Sequence, residues 1–139
     1  MKYMILHYGS QADYDAMAGK DTPAGRAWTP DEVGALGEFM GRWSNELVES
    51  GEFVDAQGLS APVLTRRIGT ENGDTVVTDG PYAETAEVLV GYTIVDCASF
   101  DRATEVAAKL IDTPGPDYVR ARGYVDVRPV MDGFEEITA

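Results

Sequence analysis

The sequence has very few of the residues that most often carry cross-links or metal chemistry. Its 139 residues include one cysteine, Cys97, and one histidine, His7. A lone cysteine excludes an internal disulfide, and a cysteine and a histidine far apart give no recognisable metal-ligand spacing. The sequence shows no signal-peptide pattern and no run of about 20 apolar residues. We therefore expect a cytoplasmic protein without a metal site and without a membrane span.

Basic residues are also scarce. Eleven lysines and arginines stand against 24 acidic residues, which gives a net charge of -13 and a pI of about 4.2. Such a surface repels phosphate backbones, so direct binding of nucleic acid is not expected. The sequence contains no glycine-rich phosphate loop, no defensible Ser/His/Asp arrangement and no base beside Cys97. No cofactor is predicted.

What is present is typical of one folded domain that spans residues 1–139, with a hydrophobic share of 44%. Residues 3–8 and 88–95 are apolar on both faces, the pattern of strands that are covered on both sides. Residues 52–59 and 124–130 are further strand candidates. In the last of these we expect Val125 and Val127 to point inward, with Asp126 and Arg128 on the other face.

Two amphipathic helices are predicted, and a short one at residues 13–20. Thr29, Pro30 and Glu32 form a capping-box start, and Gly51 is a natural stop. Ser99 can cap the second helix, which ends near residue 113. The apolar stripes are Val33, Leu36, Met40, Trp43 and Leu47 in the first helix, and Phe100, Ala103, Val106, Ala107, Leu110 and Ile111 in the second.

A β-hairpin is predicted between the two long helices, because the strand candidates at residues 63–68 and 75–78 flank Asn72-Gly73. The order of elements is β, α, β, hairpin, β, α, β, which is a βαββαβ unit with an inserted hairpin and belongs to the α+β class. Two long helices cover only one face of such a sheet. Since two strands are apolar on both faces, we expect a second subunit to cover the other face, and thus a homodimer.

Residues 78–92 form the most informative stretch. A short apolar strand runs into Asp79-Gly80-Pro81-Tyr82, and Glu84 follows at once. Such residues build exposed turns in many proteins, so the turn can have a purely structural role. A functional role is the alternative. In the functional interpretation the turn borders a cleft, where an aromatic hydroxyl and two carboxylates hold a polar ligand.

The chain resembles the YCII-related superfamily, in its branch named for an Asp-Gly-Pro-Phe motif. The resemblance rests on residues 1–4, Tyr8-Gly9, residues 78–85, Gly91-Tyr92 and residues 127–130. It implies a ferredoxin-like fold that pairs into a dimeric α+β barrel, and a biochemical role that is uncharacterised in the family. Some members occur beside or fused to extracytoplasmic-function sigma factors, which suggests a part in transcription initiation in bacteria.

The chain departs from the family pattern at three positions. Tyr82 replaces the phenylalanine of the motif, and Val90 stands where a glycine often precedes Gly91-Tyr92. The narrower YCII branch has a proposed catalytic pair, a histidine early in the long helix and a later aspartate. Met40 occupies the place of that histidine, so the pair is absent here.

The sequence leaves two functions open and does not decide whether the protein is an enzyme. The first is a small-molecule site in the dimer cleft, with His7 and Asp126 as candidate base and partner if Met4 and Leu6 face the helices. The second is a non-enzymatic module that binds a protein partner through its acidic surface, and the family resemblance implies a sigma factor as that partner. The candidate ligand-binding residues for the first function are Asp79, Tyr82, Glu84, Tyr92 and Arg128.

Overall fold

The computed structural model describes residues 1–80 and 86–138 and has α+β architecture with antiparallel sheets. The strands are β1 (Lys2–Gly9), β2 (Phe53–Gly58), β3 (Arg66–Glu71), β4 (Asp74–Asp79), β5 (Val88–Asp96) and β6 (Val125–Pro129). The helices are α1 (Gln11–Met17), α2 (Pro30–Ser50), α3 (Phe100–Ala108) and α4 (Asp117–Arg120), with 3₁₀ turns at Pro62–Leu64, Lys109–Asp112 and Phe134–Ile137.

The main sheet has four strands in the order β2-β5-β1-β6, and every neighbouring pair is antiparallel. Among the residues that the structure describes, strands β3 and β4 pair only with each other, as the hairpin predicted around Asn72-Gly73. Asn72 and Gly73 have positive φ values of 50° and 83°, which the right-handed twist of a tight hairpin requires. The hairpin is therefore an insertion between two adjacent strands of the main sheet.

Local signals set the helix limits. Thr29 and Glu32 form the reciprocal capping box that the sequence predicts, and Gly51 ends α2 with φ 78°. The short first helix begins earlier than predicted, because Ser10 caps it and exchanges hydrogen bonds with Asp13. Helix α3 ends at Ala108 and continues as a 3₁₀ turn, which leaves Ile111 60% exposed, so its place in the predicted stripe is wrong. The predicted strand at residues 63–68 is also displaced, since residues 62–64 form a 3₁₀ turn.

The core lies between one face of the main sheet and helices α2 and α3. Tyr3, Ile5 and Val95 supply the sheet side, and Trp43 and Val106 supply the helix side. Trp43 donates its indole N–H to the backbone oxygen of Val106 at 3.0 Å, which fixes α2 against α3. Since side chains alternate along a strand, Met4 and Leu6 point to the opposite, open face.

Candidate functional site

A cavity of about 600 Å³ lies beneath the helices at one end of the core. Its floor consists of helix-facing positions that are neighbours across the strands, and its roof consists of α2 residues spaced four apart. The floor includes Ala56, Thr93, His7 and Val125, and the roof includes Leu36, Met40 and Ser44. The spacing of four puts the α2 residues on one face of the helix.

The side walls come from α1, the loop before α2 and the segment after α3. They are largely apolar, with Met17, Trp28, Leu110, Ile111, Pro114 and Val119 among the lining residues. The loop before α2 and the segment after α3 meet through aromatic rings that pack on glycines. A Cβ at Gly25 would lie 2.5 Å from the Tyr118 ring, and one at Gly115 would lie 3.0 Å from Trp28. Tyr118 also donates its hydroxyl to the Arg26 carbonyl at 2.7 Å, so these segments close the wall together.

His7 lies on the cavity floor, beneath the helices. Its Nε2 is 3.2 Å from the Thr93 hydroxyl, and the Trp43 ring approaches it edge-on at 6.3 Å. The predicted orientation, in which Met4 and Leu6 face the helices, is therefore wrong. Tyr3 and Ile5 are the residues that pack against the helices, and His7 shares their face. Burial lowers the pKa of His7, because a charged imidazole loses hydration there.

The predicted proximity of His7 and Asp126 is wrong for the same reason. Asp126 pairs with Leu6 in the register of β1 and β6, so it occupies the open face of the sheet. There it accepts a hydrogen bond from Tyr8, which raises the pKa of that phenol. The Tyr8 and Tyr124 rings stack at 5.3 Å, and a hydrogen bond to Glu87 raises the pKa of Tyr124. Tyr8 and Tyr124 are also among the residues that line the cavity.

Of the predicted ligand-binding residues, the three that the structure describes lie on different elements. Tyr92 pairs with Leu6, so its side chain lies on the open face, where its hydroxyl donates to Asp55 at 3.0 Å and this bond raises the pKa of the Tyr92 phenol. Arg128 pairs with Met4 at the β6 edge of the open face. Asp79 ends the inserted hairpin, where its side chain is 86% exposed and 3.8 Å from Arg66. Tyr82 and Glu84 lie outside the described residues, so the role predicted for the turn stays a prediction.

Sequence reasoning missed Ser44 and Trp28. Ser44 is polar and did not count in the apolar stripe of α2, although it continues the spacing of Leu36 and Met40. Trp28 precedes the N-cap of α2 and is 7% exposed. Its indole nitrogen is the one enclosed side-chain polar atom without a hydrogen-bond partner in residues 1–80 and 86–138. Met40, which stands where the narrower branch has a histidine, contributes an apolar side chain to the roof.

Cys97 is buried away from the cavity lining, in an ion-pair cluster that joins β2 to α3. Arg102 holds both carboxylate oxygens of Glu52, at 2.9 and 2.8 Å, and lowers the pKa of Glu52 to about 2. Burial and a hydrogen bond to Glu52 raise the pKa of the Cys97 thiol to about 11. A thiol with such a pKa stays protonated at neutral pH and is a poor nucleophile.

The described residues contain no group of three or more His, Cys, Asp or Glu side chains arranged to hold a metal ion. In the same part of the chain, no helix combines the length and the apolar character needed to cross a bilayer.

Comparison with known proteins agrees with the sequence resemblance at the level of the family. Residues 1–132 match the family described as the YCII-related domain. The chain belongs to this family. An uncharacterised protein of Rhizobium meliloti (strain 1021) is 29% identical over 117 residues, which are 84% of this chain and 90% of the relative. The match thus covers most of this YCII-related protein and most of its relative.

Proposed function

We propose that this YCII-related protein binds a small, largely apolar molecule in the cavity beneath its helices. The observation that carries the proposal is the cavity itself. Its volume of about 600 Å³ lies within the usual range of ligand sites, and its walls are mostly apolar with a few polar groups. We therefore locate the site inside one subunit instead of in the cleft between subunits that the sequence suggested.

A fluorescence titration with the uncharged dye Nile red tests this proposal. We expect the dye to bind with a rise in emission, and Leu36→Trp, which fills part of the roof, to weaken binding at least several-fold. Ile68→Asp is the control, because Ile68 is an exposed residue of the inserted hairpin, 71% accessible. Equal binding by the native chain and Leu36→Trp, with loss in Ile68→Asp, would move dye binding to the hairpin and contradict the proposal.

We further propose that the fold is ferredoxin-like and that two copies pair through their open sheet faces as a dimeric α+β barrel. The strand order β2-β5-β1-β6 supports the first part. The open face supports the second, because Met4 and Leu6 lie opposite Ile94 and Tyr92 at its centre. Polar residues flank this apolar centre, with Asp55 and Gln57 on one side and Asp126 and Arg128 on the other. An apolar centre with a polar rim is the usual anatomy of a subunit interface.

A second candidate function is that of an interaction module for a protein partner, for which a sigma factor is the partner predicted from the family. The inserted hairpin favours it, because Ile68 and Val77 face each other across the strands and are 71% and 57% exposed. An isolated two-stranded hairpin gains stability when another surface covers it. Titration of an extracytoplasmic-function sigma factor from the same organism into the native chain and Ile68→Asp tests this. Binding lost only in the variant supports it, and absence of binding by the native chain opposes it.

We also propose that the chain belongs to the branch with the Asp-Gly-Pro-Phe motif. Residues Thr78-Asp79-Gly80-Pro81 support this assignment at the level of sequence. Gly80 has φ 45°, a left-handed value that glycine adopts most readily and that differs from the extended backbone usual before a proline.

A further inference from the structure

We propose that His7 and Ser44 form a polar subsite in the cavity and that the ligand is an uncharged, mainly apolar molecule that places a carbonyl oxygen there. This inference rests on the proposed small-molecule function and specifies the chemical class of the ligand. It follows from the hydrogen-bond partners of the cavity residues.

The first step concerns the Thr93 hydroxyl. Thr93 is 3% exposed, and Nε2 of His7 is the acceptor within reach of its hydroxyl in the described part of the chain. Buried hydroxyl protons are nearly always donated to an acceptor. We therefore assign the Thr93 proton to the bond with Nε2. A neutral imidazole that accepts at Nε2 carries its own proton on Nδ1.

The second step concerns the remaining polar atoms. Neither Nδ1 of His7 nor the Ser44 hydroxyl has a hydrogen-bond partner among residues 1–80 and 86–138. Neither atom is enclosed by protein, since the Trp28 indole nitrogen is the sole enclosed and unpaired side-chain polar atom in that part of the chain. Both side chains line the cavity, His7 from the floor and Ser44 from the roof. Two donors are thus available to a molecule inside the cavity.

The third step concerns charge. A cavity with mostly apolar walls disfavours an ionised ligand, because an ion loses part of its hydration there. Asp13 and Arg120 are the charged residues that line the cavity in the described chain. Asp13 already caps α1 and pairs with Arg122 at 3.2 Å, and Arg120 is exposed. The acidic chain also repels anions. An uncharged acceptor such as a ketone or ester carbonyl fits two neutral donors best.

A matched pair of ligands tests the inference. Fluorenone and fluorene have the same tricyclic shape, and only fluorenone has a carbonyl oxygen. By calorimetry we expect the native chain to bind fluorenone about three- to tenfold more tightly than fluorene, the usual worth of one net hydrogen bond. His7→Phe and Ser44→Ala should each bring the ratio of the two affinities closer to one, because each removes one of the two donors. Asn45→Ala is the control, because Asn45 is an exposed neighbour of Ser44 on α2.

Nitrogen NMR of the sole histidine gives a second readout that does not depend on the variants folding. We expect the free protein to carry the imidazole proton on Nδ1, and the Nδ1 signal to move on addition of fluorenone but not of fluorene. Equal affinities for the two compounds, with no effect of the variants, would overturn the polar subsite and leave the apolar cavity as a binding site. Failure of both compounds to bind would contradict the proposed function and this inference together.

Discussion

At the scale of single residues, His7 links the stability of the fold to pH. Burial lowers its pKa below the ordinary value of 6.5, so the unfolded chain binds the imidazole proton more readily than the folded chain does. Above about pH 6.5, His7 is neutral in both states and does not reduce the free energy of unfolding. As pH falls from there toward the lowered pKa of the folded state, the unfolded chain binds a proton that the folded chain does not, and the free energy of unfolding decreases. We expect His7→Gln to flatten this part of the pH profile in urea unfolding. Parallel profiles for the native chain and the variant would show that His7 is not the group responsible.

The two tryptophans offer a matched comparison of hydrogen bonding. Trp43 and Trp28 are 4% and 7% exposed, but within residues 1–80 and 86–138 only Trp43 donates its indole N–H, to Val106. Both Trp→Phe changes remove similar volume. Trp43→Phe also breaks a hydrogen bond, whereas Trp28→Phe removes an unpaired donor. We expect the loss of unfolding free energy to be larger for Trp43→Phe by about 1 kcal/mol in chemical denaturation. The reverse order would mean that the Trp28 N–H has a partner in solution.

At the scale of elements, helix α2 carries three glycines on its exposed surface. A Cβ added at Gly34, Gly37 or Gly41 would meet no described atom within 4 Å. Each Gly→Ala change should therefore raise the unfolding free energy by roughly 0.5–1 kcal/mol, because alanine has the higher helix propensity. Thermal unfolding checks the gain. A loss of stability together with a loss of subunit association would instead reveal a close backbone approach by a second copy.

The ion pair between Arg102 and Glu52 joins α3 to β2. In the folded chain the pKa of Glu52 is lowered to about 2 from 4.5, so the pair stabilises the fold above about pH 4.5, and this contribution disappears as pH falls through about 2. We expect Arg102→Met to reduce the unfolding free energy at neutral pH, because it removes the cation that holds both oxygens of the Glu52 carboxylate. Acid unfolding should also become less steep between pH 4.5 and 2. Arg66→Met, at a fully solvated pair, is the control and should change little.

At the scale of the whole molecule, the open sheet face predicts the oligomeric state. Light scattering at micromolar concentration should give about twice the chain mass of 15.0 kDa. Ile94→Asp should shift the protein toward monomer, because it puts a charge at the apolar centre of this face. Ile68→Asp, in the hairpin, should leave the dimer intact. A native protein that is folded and monomeric at this concentration would refute the dimeric barrel.

The sequence determined the elements, because their signals are local. Thr29 and Glu32 satisfy free N–H groups of their own helix, and Asn72-Gly73 adopts the backbone angles of a tight hairpin without help from distant residues.

The tertiary structure decided which residues line the cavity. Strand β1 is apolar on both faces, so its alternation does not tell which face the helices cover. Packing of Tyr3 and Ile5 against Trp43 decided it, and this carried His7 under the helices and away from Asp126. Ser44 faces the same cavity because α2 crosses that part of the sheet, a contact between distant segments that only the folded chain defines.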